Sequence, residues 1–474
     1  MNAVMPFPPR GGSLGQSELP PLTRWLPASE LDESWVYRPG MLLLGHDGAP
    51  GQRGRFIGIN ENRHIVTTAG SRAGKTLSLL VPNLLVYPGS SAVIDPKGEL
   101  AGKTAEARRK AGQRVFVLDP FRMPHSTLPA SSHYNPFDDL KRSTPESLPA
   151  DVAQLADALI EGNKKDPHWT DSAKNLLVGL ILLDHTREPG GATLRSVRRK
   201  LTDPDLLEKA WTDMMLSDAF DGRLASIGRS FLAKLKSGGG EGNRELQSIL
   251  STAQEQTRPL DDVAHISDRS DFSFEEFATQ PTTIYLVLPA LRISTHARWL
   301  RVIIYQLLAA LERNPVPVDP ASGRYPLRLV LEEFASLGYM QAIETAAGYI
   351  AGFGVQLWAV LQDLTQIRTH YPNSWETFLG NAGVINGFGI VDGTTTQYLS
   401  RLFGNTTILE SRQTRLNAAG VKGGDPGYDS SPRMVPLMEP AEITLHFARE
   451  TGRQFVKIPG LPPIHMSKLN WRTS

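Results

Sequence analysis

Residues 64–86 read HIVTTAGSRAGKTLSLLVPNLLV, and this stretch decides the fold. His64 to Thr68 is an apolar, β-branched run and reads as a strand. It feeds the loop AGSRAGKT (Ala69 to Thr76), and an apolar helical stretch follows from Lys75 to Val86. The spacing is that of a P-loop, with Ala69 where the first glycine usually stands. Glycine at position 74 lets the backbone pass close to phosphate oxygens, so that consecutive N–H groups point inward as an anion nest. Lys75 is expected to reach β- and γ-phosphate oxygens, and Thr76 to ligate Mg²⁺ through its hydroxyl. The helix beginning there adds its N-terminal dipole. ATP with Mg²⁺ is therefore the expected ligand pair, held by Gly70, Ser71, Arg72, Ala73, Gly74, Lys75 and Thr76. A glycine turn carrying a solvated lysine would not explain why strand, loop and helix stand in this order.

The pattern continues downstream. Ser91 to Ile94 is a second strand ending at Asp95-Pro96, a helix covers Leu100 to Ala111, and Arg114 to Leu118 is a third strand ending at Asp119-Pro120. Strand–helix–strand alternation at this spacing predicts a mainly parallel sheet with right-handed crossovers. From about residue 148 to 262 the periodicity is helical and strand signals vanish. Strands resume at Thr283–Leu288, Leu327–Leu331, Val355–Leu361, Val384–Ile390 and Gln454–Ile458. The chain thus divides into an N-terminal arm of extended chain and short strands (1–55), a first nucleotide-binding part (56–141), an inserted all-α domain (142–270) and a second nucleotide-binding part (271–474). Two polar, glycine-rich stretches, Ser237–Asn243 and 412–432, read as loops.

A P-loop NTPase also needs an acidic strand end to hold Mg²⁺ and act on water. LRLVLEEF (Leu327 to Phe334) supplies two acids after a hydrophobic strand. Glu332 takes the metal-side role in this reading, and Glu333 orients or deprotonates the attacking water. Asp95 is the second candidate. Gln362 ends the following strand, where a γ-phosphate sensor would stand.

These residues together resemble the type IV coupling proteins, the TraG-like ATPases of conjugation and type IV secretion. The resemblance rests on an ordered set: AGSRAGKT, AVIDPKGEL, VFVLDPF, YNPF (Tyr134 to Phe137), DPHWTDSAKNLL (Asp166 to Leu177), IYLVLP, LVLEEFASLG, GVQLWAVLQDLTQI and GFGIVDGTTTQYLSRLFGNTT. It covers roughly residues 60–460. It implies an α/β fold: a RecA-like P-loop NTPase with a mainly parallel central sheet, interrupted by an all-α domain. It also implies homo-hexameric rings, monomeric when isolated, with nucleotide at subunit interfaces. DNA, relaxase or effector proteins and secretion-channel components are the implied partners. The family's motif residues carry over as Lys75, Thr76, Glu332, Glu333 and Gln362.

Three departures are visible. Family members usually carry an N-terminal transmembrane hairpin, and none is found here, whether because the chain docks peripherally through a membrane partner or because its start omits an upstream anchor. Glu332 stands where the family usually has Asp. Some relatives place an arginine eleven residues before the sensor, and that position is Ala351 here; Arg368 and Arg401 are the candidates for an interfacial cation.

Composition sets further bounds. The chain has 474 residues, enough for two or three cores, and 50 Lys+Arg against 49 Asp+Glu give a formal charge of +1. DNA contact must therefore come from a local patch or from assembled subunits. Arg195, Arg198, Arg199 and Lys200, with Lys234 and Lys236, form such a patch in the helical region; a solvated cationic helix face is the other reading. Trp169 reads as a core anchor, with stacking on a base as the other reading. The chain contains 0 cysteines, which excludes disulfides, thiolate metal sites and thiol nucleophiles and fits a cytoplasmic location. The longest apolar segment, Leu176 to Leu183, is far short of a ~20-residue membrane span. The function expected is a coupling ATPase that brings DNA–protein or protein cargo to a secretion channel. The alternatives are a RecA-like DNA translocase or helicase outside secretion, and a nucleotide-gated adaptor that hydrolyses little.

Overall fold

The computed structural model describes residues 23–123, 128–162, 167–188, 191–237, 241–414 and 427–469. Its strands are β1 (Leu26–Pro27), β2 (Leu42–His46), β3 (Phe56–Ile59), β4 (His64–Ala69), β5 (Ser91–Asp95), β6 (Arg114–Leu118), β7 (Thr282–Val287), β8 (Leu327–Glu332), β9 (Val355–Leu361), β10 (Ala382–Phe388), β11 (Asn405–Thr414), β12 (Gly427–Pro436), β13 (Arg453–Lys457) and β14 (Ile464–Ser467). The chain forms two compact units, residues 1–87 with 358–474, and residues 88–357.

In the first unit β4 lies between β10 and β9, both parallel to it. Beyond β10 the strands run β13, β14, β2 and β3, all antiparallel. A buried polar contact fixes the register at the centre. The Trp358 indole N–H donates to Thr67 Oγ at 2.9 Å, and the Thr67 hydroxyl donates to Asn386 Oδ1 at 2.7 Å. A one-residue slip of any of these strands would strand a buried donor or acceptor. The helix after the P-loop is held to β2 by Asn83, whose side chain accepts from Leu43 N at 2.9 Å and donates to Leu43 O at 2.7 Å.

In the second unit β8, β5, β7 and β6 are neighbours in that order and all parallel. Between β6 and β7 the described residues form helices only, chiefly Leu148–Leu159, Pro167–Arg187, Leu194–Thr202, Pro204–Met215, Arg223–Lys236 and Glu241–Thr257. The apolar run Leu176–Leu183 is buried within the second of these, as an all-round apolar helix must be. No helix among the described residues is long and apolar enough to cross a membrane.

The YNPF motif is a structural knot in this unit. Tyr134 is buried and donates to Asp139 at 2.7 Å, and Asn135 Nδ2 donates to Ala192 O at 2.9 Å. Three expectations need correction or completion. Residues 412–414 and 427–432, read as loop, belong to the β11–β12 hairpin; a ladder of backbone bonds overrides their turn-rich composition. The glycine-rich gap is shorter than expected, since helix begins at Glu241, while residues 238–240 lie outside the described part. The N-terminal arm carries β1 and β2, and residues 1–22 lie outside the described part.

Candidate nucleotide site

The P-loop leaves β4 at Ala69 and turns back on itself. Ala73 N donates to Gly70 O at 3.2 Å, and Arg72 and Gly74 adopt positive φ of 58° and 94°. The loop lies flat on the end of β10. A Cβ on Gly70 would stand 2.0 Å from Gly389 O, and a Cβ on Gly389 would stand 2.6 Å from the Ala73 methyl. Both positions therefore need glycine for close approach, whatever the backbone angle. Ala69, Ala73 and Phe388 form the small apolar cluster under the loop.

The helix that follows opens with a wide π-turn over Thr76–Leu80 before regular α-helix begins at Val81. Such turns cluster at functional sites. Gly74 O accepts from Ser78 N and from Ser78 Oγ, both at 2.8 Å. The Gly74 N–H, by contrast, makes no hydrogen bond among the described residues. One amide of the nest is thus left for an anion, while its carbonyl partners are taken up by the protein.

Gln362 follows β9 directly. Since Thr68 pairs with Leu361, the next step along both strands sets Gln362 beside Ala69, at the strand edge from which the P-loop springs. Its own N–H donates to Gln366 Oε1 at 3.1 Å.

Glu332 and Glu333 lie in the second unit. Glu332 is the last residue of β8 and is buried. Glu333 has left-handed backbone angles, φ 58° and ψ 44°, a conformation that costs a non-glycine residue roughly 1–2 kcal/mol. Strain of this kind collects at functional positions. Asp95, the second acid considered, ends the neighbouring strand β5. It is fully buried; its Oδ2 accepts from Ala101 N at 2.8 Å at the start of the helix Glu99–Lys110, while its Oδ1 has no hydrogen-bond partner among the described residues.

Burial pushes the Asp95 carboxyl up to about 6, against the opposing pull of backbone amides from Ala101, Leu100, Lys97 and Glu99. A carboxyl raised above its unfolded value stabilises the fold fully below that value, near 3.9. The contribution is lost as pH rises through about 6. Asp95→Asn keeps an acceptor for Ala101 N without the buried charge. It is expected to gain stability over the parent at pH 8, by roughly 2–3 kcal/mol, and to lose that advantage at pH 4. Urea unfolding at both pH values measures this.

The basic residues singled out in the helical region divide sharply. Arg198 is buried and held by Asp261, with its Nη1 donating to Gln254 O and Thr257 Oγ. Lys200 pairs with buried Asp184 at 2.6 Å, Arg195 with Asp268 at 2.9 Å, and Lys234 with Glu245 at 2.6 Å. Arg199 alone of the stretch is exposed and outside any ion pair among the described residues. It lines a groove of about 360 Å³ with Arg187, Arg195, Lys200, Lys209 and Asp213. Lys209, on the next helix, was not distinguished by sequence; only the fold sets it across from Arg199. Trp169 is partly exposed, its ring edge-on to His168, and is not a core anchor. Arg368 is exposed and lies over the Trp375 ring at 5.3 Å, and Arg401 is exposed in the last turn of the helix Gly393–Phe403.

A family model described as Type IV secretory system Conjugative DNA transfer matches residues 24–473. The chain belongs to this family. Among curated members, the chain is 30% identical over 435 residues to the conjugal transfer protein TraG of Escherichia coli, covering 85% of this chain and 66% of that protein. It is 28% identical over 444 residues to the protein VirD4 of Agrobacterium fabrum (strain C58 / ATCC 33970), covering 90% of this chain and 62% of that one. The chain thus spans less than two thirds of the length of these relatives. Among solved structures, the bacterial conjugative coupling protein TrwB, in its TrwBdeltaN70 form, superimposes with a TM-score of 0.68 at 16% identity, covering 97% of this chain and 95% of that one. The conjugative-transfer fold is therefore the RecA-like P-loop α/β fold with a mainly parallel sheet. TrwB has also been solved with ADP and Mg²⁺, with a TM-score of 0.67 to this chain.

Proposed function

We propose that this chain is a coupling ATPase that binds ATP with Mg²⁺, hydrolyses it, and recruits DNA–protein or protein cargo to a type IV secretion or conjugation channel. The observation that carries the reading is the P-loop itself. Its nest leaves the Gly74 N–H without an acceptor among the described residues, and Gln362 stands at the same strand edge. The ADP and Mg²⁺ complex of TrwB supports the choice of ligand.

In this reading the loop amides from Gly70 to Thr76 hold the phosphates and Lys75 neutralises the β/γ oxygens. In the same reading Mg²⁺, a hard cation that takes one or two protein oxygens, would be held by the Thr76 hydroxyl and the Glu332 carboxylate, with phosphate oxygens and waters completing its shell. When bound, the ion offsets charge on the phosphates. Glu333 orients and deprotonates the attacking water, and Gln362 senses the γ-phosphate. Residues 142–270 act as the inserted all-α domain that meets cargo, flanked by nucleotide-binding parts at 56–141 and 271–474. The working form is a homo-hexamer in the cytoplasm, docked peripherally at the inner membrane through a partner.

The test is the ATPase rate against protein concentration, with and without single- or double-stranded DNA. A rate that rises with concentration and with DNA is expected. Absence of DNA stimulation together with tight binding to a channel component would replace the motor with a nucleotide-gated adaptor. The double variant Arg199→Glu/Lys209→Glu is expected to weaken DNA binding about tenfold at moderate salt and to lower the salt slope by about 2, leaving the DNA-free rate unchanged. Fluorescence anisotropy over a salt series measures it.

A further inference from the structure

The chain returns to the P-loop at its far end. β14 closes at Ser467, whose hydroxyl donates to Gly48 O at 2.7 Å, and the next residue is Lys468, whose N–H donates to Gly452 O at 2.8 Å. Backbone and neighbour are thus both fixed, and the side chain points at the loop from outside. Its ammonium donates to Arg449 O at 3.1 Å and to Ala73 O at 3.4 Å, and lies 4.7 Å from the centre of the Phe388 ring. Every one of these partners is neutral. Lys468 forms no ion pair among the described residues, although Glu450 and Arg449 are near enough to act on it through space. Burial lowers its pKa. An ammonium kept partly out of water without a carboxylate is costly, and the surroundings that keep it there are the P-loop and the strand it rests on.

We infer that Lys468 is a positioning residue of the nucleotide site, acting on phosphate through the Ala73–Gly74 peptide. Ala73 C=O and Gly74 N–H belong to one amide. A cation on its oxygen draws charge toward that oxygen and makes the N–H a stronger donor. This N–H is the one that lacks an acceptor among the described residues. The ammonium also holds the amide oriented, with its oxygen outward and its hydrogen toward the anion, so that no reorganisation is needed on binding. The cation–π contact to Phe388 ties the same ammonium to the strand on which Gly70 and Ala73 are packed. Positive charge therefore reaches the nest from two sides: directly from Lys75, and through a peptide bond from Lys468.

The inference rests on the P-loop reading above, and the experiment separates the two. Fluorescent ADP with Mg²⁺ is titrated into the parent chain and the variants Lys75→Ala, Lys468→Met and Lys468→Arg, with thermal melting alongside. Methionine keeps the length and apolar stem of lysine without the charge. Lys468→Met is expected to raise the Kd for ADP about tenfold, the weight of one charge-assisted hydrogen bond, with melting close to the parent's. In turnover the loss appears in KM, with kcat changed by less than about threefold, and Lys468→Arg restores most of the affinity. If Lys75→Ala abolishes binding while Lys468→Met stays within twofold of the parent, the inference is overturned and the P-loop reading stands. It is equally overturned if the methionine variant loses affinity and arginine restores none, since the role would then be one of shape. If Lys75→Ala binds ADP normally, the P-loop reading itself fails.

Discussion

Lys75→Ala is expected to lower ATP turnover by at least about 10²–10³-fold and to bring nucleotide affinity below the range of an ordinary titration. The magnitude follows from what the ammonium meets. The phosphates concentrate their negative charge at the oxygens the lysine approaches, and a preorganised donor aimed at developing charge accounts for about 3–4 kcal/mol in a water-poor site. The loop should survive the substitution. Its conformation is set by Gly70 and Gly389 in contact and by the Ser78 bonds to Gly74 O, none of which uses the Lys75 side chain. Thermal melting without nucleotide should accordingly match the parent, while the upward shift that nucleotide gives the parent disappears. Unchanged turnover in this variant would remove the site assignment altogether.

The second large effect is expected at Glu333. Glu333→Gln removes the charge and keeps the size and the Cβ, so the left-handed backbone at φ 58° is equally strained before and after. A general base contributes about 10²–10⁴-fold, and turnover should fall by that order. Nucleotide affinity should stay within about threefold, because the carboxylate acts on water and not on the ground-state phosphates. Phosphate release measured beside ADP titration gives both numbers. This split is the reverse of that expected for Lys468, where affinity moves and kcat does not. If Glu333→Gln leaves turnover intact, the water-orienting group lies elsewhere and the strain at 333 needs another explanation.

The two acids at the ends of adjacent strands show how far sequence patterns reach. Asp95 and Glu332 both close an apolar strand, and composition alone leaves both as metal-side candidates. The fold distinguishes their surroundings. One oxygen of the Asp95 carboxyl faces backbone amides in the turn before a helix, and the other is buried without a hydrogen-bond partner among the described residues. The same limit applies to the basic stretch 195–200. Its basic residues are alike in sequence, but helical geometry turns Arg198 and Lys200 toward buried partners, leaves Arg195 exposed in an ion pair with Asp268, and leaves Arg199 exposed without one among the described residues. Charge is visible in a sequence; the compensation of charge by a residue sixty positions away is not.

What the sequence determined by itself was the local chemistry: a strand, a glycine turn and a helix in an order that makes a phosphate nest, the alternation that makes a parallel sheet, and a helical stretch that interrupts it. These are matters of short-range sterics and periodicity, and they can be read from neighbours along the chain. What only the tertiary structure decided was how the nest is held. Gly389 admits the loop because a methyl group there would strike Ala73, and Lys468 reaches the Ala73 carbonyl from the last strand, 395 positions along the chain. Neither has a local signature, because a close approach between distant backbones and an ammonium set on a remote carbonyl exist only once the strands have found their register.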